Sequence, residues 1–556
     1  MLMDKTETAS LGGNTKYIFV VGGVMSGVGK GVTSSSIAML LQARGLKVTT
    51  IKIDPYINVD AGTMNPTEHG EVFVLKEGLE TDQDMGNYER FLNQDLPAIN
   101  YMTTGSVYLS VIEKERNLKY KGRNVEVVPD IPLEVISRIK KAGQVAEADV
   151  VMVEIGGTVG EYQNILFLEA VRMMKTERPA DVATIMVSFL PLPHSIGEMK
   201  TKPTQTAVRM LNGAGVFADM IIARSSLAID EKRKEKIATF CNVRREYVIS
   251  APDASSIYEV SLKFEADKIT DKILTILNLP ITGKSNLTKW KKFVANLKAE
   301  NKPVVKIALV GKYFKSGEFV LSDVYLSVIE ALKYSAYALG LQPEITYLSA
   351  SEFADGTRPL AELGNFAGVL VPGGFGESGV EGKLEVIEYV RKNKIPYFGI
   401  CYGMQLAVLE YAKNVLKLAD VNTTEIKPDA QNPVVDVMLS QKEVIKKGQM
   451  GGTMRLGEYQ TVLKSGTLAA QAYKSKMVAE RHRHRYEVNN KYVADLEQAG
   501  LIFSGVSPDG LLMEIMELPA TVHPFFVGVQ FHPEFKARPL APHPLFTAFV
   551  RTAYEN

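Results

Sequence analysis

"GGVMSGVGKGVTSSS", residues 22–36, nearly spells a phosphate-binding loop and then departs from it. Such a loop reads G-x-x-x-x-G-K-[ST]; its backbone N–H groups cradle phosphates and the closing hydroxyl helps hold Mg²⁺. Here Gly23 and Gly29 are separated by five residues rather than four, and Gly31 stands where the hydroxyl should be. The stretch still follows an apolar run, "YIFVVGG" (17–23), and precedes a helical pattern, "VTSSSIAMLLQARG" (32–45). That is the strand, glycine turn and helix start that a phosphate site requires. Outward from it, short β-branched runs alternate with longer amphipathic stretches, which predicts an α/β fold with a parallel sheet flanked by helices. The expected strands are 17–23, 48–54, 149–157, 182–190, 220–225 and 247–253.

The rhythm fails across "LPITGKSNLTKWKKFVANLKAENKP" (279–303), a Lys- and Asn-rich stretch closing on Pro303, and a domain junction is placed there. A second α/β series begins with "VVKIALVGKY" (304–313), "GVLVPGGFG" (368–376), "YFGICYGMQ" (397–405) and "FFVGVQFHPEF" (525–535). The expected organisation is a flexible N-terminus (1–15), a first domain (16–278), a linker (279–303) and a second domain (304–556). With 556 residues, 46% of them hydrophobic, the chain is long enough for two substantial cores. Sixty-four Lys plus Arg against 63 Asp plus Glu leave a net charge of +1, so no global field favours nucleic acid or a membrane surface. The apolar runs are too short to span a bilayer. Two cysteines build neither a disulfide framework nor a zinc site, which suits a reducing cytoplasm.

In the second half, Cys401 comes directly after an apolar strand and before a helical run, which puts its thiol on a sharp turn facing helix N–H dipoles, a setting that favours thiolate. "FHPEF" supplies His532 and Glu534 at i and i+2, suited to a carboxylate orienting an imidazole that accepts the thiol proton. Gly373 and Gly374 sit in a tight loop whose N–H groups, with that of Tyr402, suit an oxyanion hole. Cys241 is read as a small buried hydrophobe, and "ERHRHRYEVNN" (480–490) as too short and isolated a basic strip for nucleic acid. In the first half, Lys30 is placed to reach a terminal phosphate. The missing hydroxyl is replaced by carboxylates: Glu154, ending the strand "DVVMVE", and Asp84, in "ETDQDMGNYERF", as Mg²⁺ ligands. Lys200, Lys202, Thr204 and Gln205, with Pro203 fixing the turn, crowd donors into six residues and suit a triphosphate.

The second half, with G-x-C-x-G-x-Q and a downstream H-P-E, resembles class I glutamine amidotransferases over roughly 304–551. The whole chain, through "KIDPYINVDAGTMNPTEHGEVFVLKEG", "TDQDMGNYERF", "VEIGGTVGE" and "KTKPTQ", resembles the CTP synthase family from about Lys16 to about Tyr554. The resemblance implies a P-loop-type synthase domain followed by an amidotransferase domain. It implies that ATP phosphorylates O4 of UTP and that ammonia, released from glutamine through a Cys401 thioester, displaces the phosphate to give CTP. It places Ser26 on UTP, and Gly27, Val28, Gly29, Lys30, Gly31 and Val32 on ATP with Ala254 near the adenine. Lys200, Thr201, Lys202, Pro203, Thr204, Gln205 and Lys236 go to UTP, and Glu161, Tyr162 and Gln163 to the pyrimidine nucleotide. Glutamine is assigned to Gly374, Tyr402, Gly403, Met404, Gln405, Glu425 and Arg485. Lys30 and Lys202 are expected to stabilise charge during phosphoryl transfer. The resemblance further implies GTP activation, CTP feedback, homotetramers and, in some members, filaments.

Three positions depart from the family pattern. "GTVGEYQ" replaces G-T-V-G-D-I-E, so Gln163 has lost a carboxylate expected near the pyrimidine nucleotide; "VPDIP" replaces V-P-H-I-T, putting Asp130 for an imidazole; and "GFGESG" replaces G-F-G-x-R-G, so Ser378 removes a cation. Altered CTP feedback and weakened or reshaped GTP activation are the expected consequences. The competing readings are a nucleotide-binding regulatory or filament-forming paralogue, and another P-loop amidoligase of the cobyrinate or dethiobiotin type, which would not be expected to carry "KTKPTQ" or "DPYINVDAGTMNP".

Overall fold

The computed structural model describes residues 15–193, 197–281, 283–312, 315–316, 319–320, 322–377, 379–448 and 451–556. Residues 1–14 of the expected flexible N-terminus, and Ser378, lie outside the described residues. The chain divides into two compact units, one comprising the residues up to Asp60 and Asn87–Val294, the other Ala61–Gly86 and Ala295–Asn556. The segment 61–86, which the sequence reading gave to the first domain, is thus grouped with the second unit. No helix among the described residues is long and apolar enough to cross a membrane.

The first unit is built on a seven-stranded parallel sheet: β1 (Lys16–Gly23), β2 (Val48–Asp54), β3 (Tyr101–Thr103), β4 (Val150–Ile155), β5 (Val182–Phe189), β6 (Met220–Ser225) and β7 (Val248–Pro252). They lie in the order β3-β2-β4-β1-β5-β6-β7. Every residue of β1 is buried, the signature of a central strand covered on both faces, and the reason its sequence is apolar without alternation. The register sets Val20 beside Glu154 and Gly23 beside Ser188, so the glycine turn leaves the sheet at the carboxyl ends of β4 and β5, where open α/β sheets bind ligands. Gly23 packs closely: a Cβ there would meet Ala207 Cβ at 2.8 Å as well as the mobile Met186 Cε at 2.3 Å. All six expected strands are present; β3, with three residues, is too short to leave a periodic signal.

The second unit carries a nine-stranded sheet of β8 (Val304–Gly311), β9 (Gln342–Ser349), β10 (Gly368–Val371), β11 (Tyr397–Ile400), β12 (Arg455–Leu463), β13 (Met477–His484), β14 (Ile502–Val506), β15 (Met513–Glu517) and β16 (Phe526–Val529). Its order is β9-β8-β10-β11-β16-β15-β14-β12-β13, parallel through β16 and antiparallel beyond it. The expected strands at 368–376 and 397–405 are shorter than the sequence suggested. Pro372 and the glycines after it leave the sheet, and after Ile400 the chain turns at Cys401 into the helix Tyr402–Asn414. The expected linker is partly a helix, Thr288–Lys298, whose Trp290 is buried. Trp290 Nε1 donates to the Tyr258 carbonyl at 3.0 Å and the indole packs with Phe91 and Tyr258, which fastens this end of the stretch to the first unit.

The turn at Cys401 depends on two glycines. A Cβ on Gly399 would lie 2.8 Å from the Gly403 carbonyl carbon, and one on Gly403 would lie 2.2 Å from the Val371 carbonyl oxygen. Gly403→Ala therefore overpacks backbone against backbone and is expected to cost about 1–3 kcal/mol. Differential scanning calorimetry should show the transition of the second unit lowered, whereas an unchanged thermogram would contradict this packing.

Candidate functional site

Cys401 is the residue that caps the helix Tyr402–Asn414, with φ 50° and ψ −99°. A non-glycine residue in that region is strained, and such strain persists only where the surroundings hold it. Its N–H donates to the Val529 carbonyl at 2.6 Å and its carbonyl accepts from Gln405 N at 3.1 Å, so both neighbours fix the peptide. The sulfur is thereby held at the helix N-terminus, 3.6 Å from Gln530 Nε2 and 3.8 Å from the Arg483 carbonyl. His532 reaches it from the loop after β16. A Cβ on Gly373 would lie 2.9 Å from His532 Cε1 and 3.8 Å from Cys401 Cβ, so imidazole and thiol face one another past a glycine that has to be there. His532 Nδ1 bonds Glu534 Oε1 at 2.7 Å, which orients the ring. Burial alone would push the imidazole's pKa down; the Glu534 carboxylate and Cys401 more than offset it and raise it to about 10. The arrangement holds a positive imidazolium beside the sulfur, in place to exchange a proton with a group reacting there.

These groups open into a cavity of about 530 Å³ lined also by Gly374, Phe375, Glu425, Arg483, Arg485 and Tyr486. Glu425 accepts from Gly376 N at 2.7 Å, and burial raises its carboxyl above the usual range. Arg485 is held by Gln441 Oε1 at 2.6 Å and Thr453 Oγ1 at 3.0 Å. Gly403, Met404 and Gln405 do not line this cavity. Gln405 is turned inward, its amide donating to the Tyr486 carbonyl at 2.8 Å and to Gln530 Oε1 at 3.1 Å, so it orders the residues around Cys401 instead of facing a ligand. Tyr402 lies beneath the loop, with its hydroxyl donating to the Gly376 carbonyl at 2.9 Å.

The segment 61–86 contributes to the same cavity through Gly62, Thr63, Met64, Pro66, Glu71 and Val72. Its hairpin, Val72–Val74 and Glu80–Asp82, is fastened to β13. Arg483 Nε donates to Glu80 Oε1 at 2.8 Å, Arg481 donates to the Val74 carbonyl at 3.0 Å, and Phe73 meets Phe535 edge-on at 5.0 Å. Sequence reading missed these partners because they lie some four hundred residues apart. It also missed that "RHRHR" is a strand: Arg481, His482 and His484 are buried, with His484 pushed down to about 3 by burial and by Arg455.

In the first unit the glycine turn is real: Gly27 and Gly29 take φ 70° and 92°, and the helix Lys30–Ala43 starts with no side-chain cap on its N–H groups. The Lys30 head folds back over Gly22 and donates to the Gly157 carbonyl at 2.9 Å. Gly29 and Val32 line a small cavity with Ala254, Arg224 and Lys263, the last two being residues that the sequence reading did not single out. Arg224 is fixed by the Ala251 carbonyl and Asp253 Oδ1, both at 2.9 Å. A second cavity of about 630 Å³ is lined by Gly160, Glu161, Lys202, Pro203 and Thr206. Lys200 pairs with Glu198 at 2.7 Å, Gln205 donates to Thr201 Oγ1 at 3.2 Å, and Lys236 is exposed on the helix Glu231–Cys241. Thr204 does not face ligand space: it is buried, and its hydroxyl sits 2.8 Å from Ser188 Oγ against the sheet. Tyr162 is 95% exposed and Gln163 is exposed, and neither lines the cavity.

Glu154 is buried at the end of β4. Lys52 Nζ donates to its Oε1 at 3.1 Å and lies 3.5 Å from Asp54 Oδ1, while Tyr88 OH donates to its Oε2. Asp84 opens the helix Asp84–Leu92 within the segment grouped with the second unit. Among the described residues no group of three or more His, Cys, Asp or Glu is placed to hold a metal. Mg²⁺ in nucleotide sites uses one or two carboxylates with phosphates and waters, so Glu154, a buried carboxyl group beside a lysine, offers oxygen donors that fit that chemistry.

The profile described as CTP synthase N-terminus matches residues 16–279, and that described as glutamine amidotransferase class-I matches residues 320–552. A protein named CTP synthase from Methanothermobacter thermautotrophicus is 46% identical over 97% of this chain and 99% of its own length, and one from Halalkalibacterium halodurans is 47% identical over the same shares. The chain belongs to the CTP synthase family. A solved Trypanosoma brucei CTPS glutaminase domain with bound acivicin is 37% identical over 45% of this chain and 94% of its own, with a TM-score of 0.41.

Of the departures from the family pattern, Asp130 has a structural role. It is buried, takes both Arg123 amino groups and accepts from Glu126 N at 2.8 Å, and the Arg123 hydrogen bond holds its carboxyl below the usual range.

Because His532 has a folded-state pKa raised above its ordinary 6.5, the charged pair stabilises the fold fully below pH 6.5, and that contribution is lost as pH rises through about 10. Glu534→Gln should bring the His532 titration down toward the ordinary range, read from its ring Cε1–H resonance in selectively labelled protein. A midpoint that does not move would show that Glu534 does not set the charge.

Proposed function

We propose that the residues above divide the reaction of the CTP synthase family between two centres. The chain is an ATP-dependent ligase that aminates UTP to CTP with nitrogen from glutamine. The observation that carries the reading is a strained cysteine elbow facing His532 and Glu534 in a chain that also carries the strand, glycine turn and helix of a phosphate site.

At the second centre, Cys401 thiolate adds to the side-chain amide carbon of glutamine. The carbonyl electron pair moves onto oxygen, where the N–H groups of Gly374 and Tyr402 receive it. His532 gives its proton to the leaving nitrogen, ammonia departs, and a thioester remains; water activated by the now neutral imidazole then releases glutamate. Glu425 and Arg485, of opposite charge in the same cavity, are suited to the ammonium and carboxylate of the amino acid. At the first centre, O4 of UTP attacks the terminal phosphorus of ATP and ADP leaves. Ammonia adds at C4 and the phosphate departs with the C–O electron pair. A ring oxygen leaves only when it carries phosphate, which is why ATP is consumed. Lys30 and Lys202 stabilise charge on the transferred group, a mainly electrostatic task. Ser26, the Lys200–Gln205 stretch and Lys236 are assigned to UTP; within that stretch Thr204 sets the helix start from beneath. Mg²⁺, when bound, supplies further charge neutralisation, and Glu154 and Asp84 would hold it.

GTP activation of the glutaminase, CTP feedback, homotetramers, filaments and a cytoplasmic location are proposed on the family's behaviour. Within that proposal Gln163 alters CTP feedback and Ser378 weakens or reshapes GTP activation. The regulatory-paralogue reading is not favoured, since both profiles match and the relatives spanning the whole chain are named CTP synthase.

Cys401→Ala should lose more than about 10³-fold in glutamine-dependent CTP formation while ammonia-dependent formation persists. Glu154→Gln should depress both. Loss of both activities in Cys401→Ala would break the division of labour.

A further inference from the structure

A buried cation beside the glutaminase centre takes no part in the steps above. Lys383 lies in the first turn of the helix Val380–Lys392, which follows the Gly373–Gly374 loop. Its side chain is fully buried, and among the described residues its Nζ has no hydrogen-bond partner. Lysine ordinarily lays its stem along apolar surface and keeps its head in water, or pairs with a carboxylate when buried. Lys383 does neither. Its Nζ sits 5.2 Å from the centre of the Tyr402 ring, and a Cβ on Gly374 would lie 3.8 Å from it. Tyr402 and Gly374 are the two residues whose N–H groups are assigned to the oxyanion. The charged groups that face it from the neighbouring elements are Lys312 after β8, Glu425 after the strand Val421–Thr423, and Cys401 after β11. Glu425, the carboxylate among them, is hydrogen-bonded to Gly376 N.

We propose that Lys383 is a positioning residue of the glutaminase, a buried cation set behind the Gly374–Tyr402 oxyanion site whose field favours negative charge on the Cys401 sulfur and on the oxygen of the tetrahedral adduct. The proposal rests on the glutaminase reading of this centre. No bond to Lys383 forms or breaks: the sulfur–carbon bond forms, the carbonyl pair moves to oxygen, and the ammonium keeps its proton while its attraction for the new charge lowers the barrier. In a water-excluded site a fixed charge needs no reorganisation at the moment of reaction, which is where such stabilisation is largest. The packing makes this charge sensitive to pH. Burial first, then Lys312, pushes the ammonium down to about 7 against the pull of Glu425 and Cys401. The cation is therefore present on the acid side of neutrality and lost above it.

Lys383→Met keeps the length and the apolar stem and removes the charge. The test measures kcat and KM for glutamine hydrolysis from pH 6 to 9, with pH-dependent alkylation of Cys401 by iodoacetamide alongside, in the full-length wild type, in Lys383→Met and in Lys383→Gln. Expected are a fall in kcat of about 10-fold or more at pH 6.5, a KM changed less than about threefold, and loss of the neutral-pH inflection that the wild type shows in both measurements. A folded variant with unchanged kcat and an unchanged inflection, or one altered only in KM, would overturn the proposal. So would a wild type with no inflection near neutrality, a result that needs no variant to fold. Cys401→Ala separates the two levels of the argument: if it still hydrolyses glutamine, the glutaminase reading itself fails.

Discussion

The backbone of Cys401 is the constraint on which the rest of the second unit turns. A residue with a side chain held at φ 50° and ψ −99° gives up conformational energy, and it stays there because a parallel strand delivers it and a helix begins one residue later. Gly399 and Gly403 remove the atoms that would collide, the Val529 carbonyl fixes the peptide, and the sulfur emerges where the helix N–H groups point. His532, Glu534 and the Gly373–Gly374 loop then need only be brought to a sulfur already placed. A cysteine in an ordinary helix or strand would present its thiol sideways into packing, as the buried Cys241 does. Burial alone raises the thiol of Cys241 to about 11 and keeps it inert.

The two units solve the same problem with different residues. Each uses a central parallel strand, a tight glycine-bearing turn and a helix start to aim backbone donors at negative charge. In the first unit the turn must approach a ligand closely, so Gly27 and Gly29 join Val24 at positive φ without adding side chains, and the cation is Lys30 folded back on its own strand. In the second the turn must present a nucleophile, so a cysteine takes the strained position and glycines flank it. The buried acids differ in the same way. Glu154 is neutralised by Lys52 and suited to metal and phosphate chemistry, whereas Glu534 spends its charge on an imidazole.

What was legible in the sequence follows from local physics. "YIFVVGG" is apolar over its whole length because both faces are covered, and it was read to within a residue; "VTTIKID" was read to its ends although Thr49, Thr50, Lys52 and Asp54 are buried in it. The Cys401 elbow and the His532–Glu534 pair were legible because strand, turn and helix signals adjoin, and because a two-residue spacing puts carboxylate beside imidazole. The antiparallel strands β12 to β15 were missed, since Arg455, His482 and Glu514 are buried in mutual pairs, and Arg481 against the Val74 carbonyl, in a way that no hydropathy pattern reveals. The packing of the segment 61–86 was illegible for the same reason, because it rests on Glu80–Arg483 and Phe73–Phe535, contacts between residues far apart in the chain. Thr204 was assigned to a triphosphate as one donor in a crowded stretch, and Gln405 to glutamine by family resemblance. Their hydrogen bonds show them holding the motif from behind.

The central claim is that Cys401 is the nucleophile that takes the acyl group from glutamine. Protein mixed with glutamine, quenched in acid within a turnover and digested for mass spectrometry should yield the peptide containing Cys401 heavier by one glutamyl group, with the label absent from the Cys241 peptide and from protein lacking His532. A burst of ammonia with no acylated Cys401 peptide, or the acyl group found elsewhere, would contradict the account.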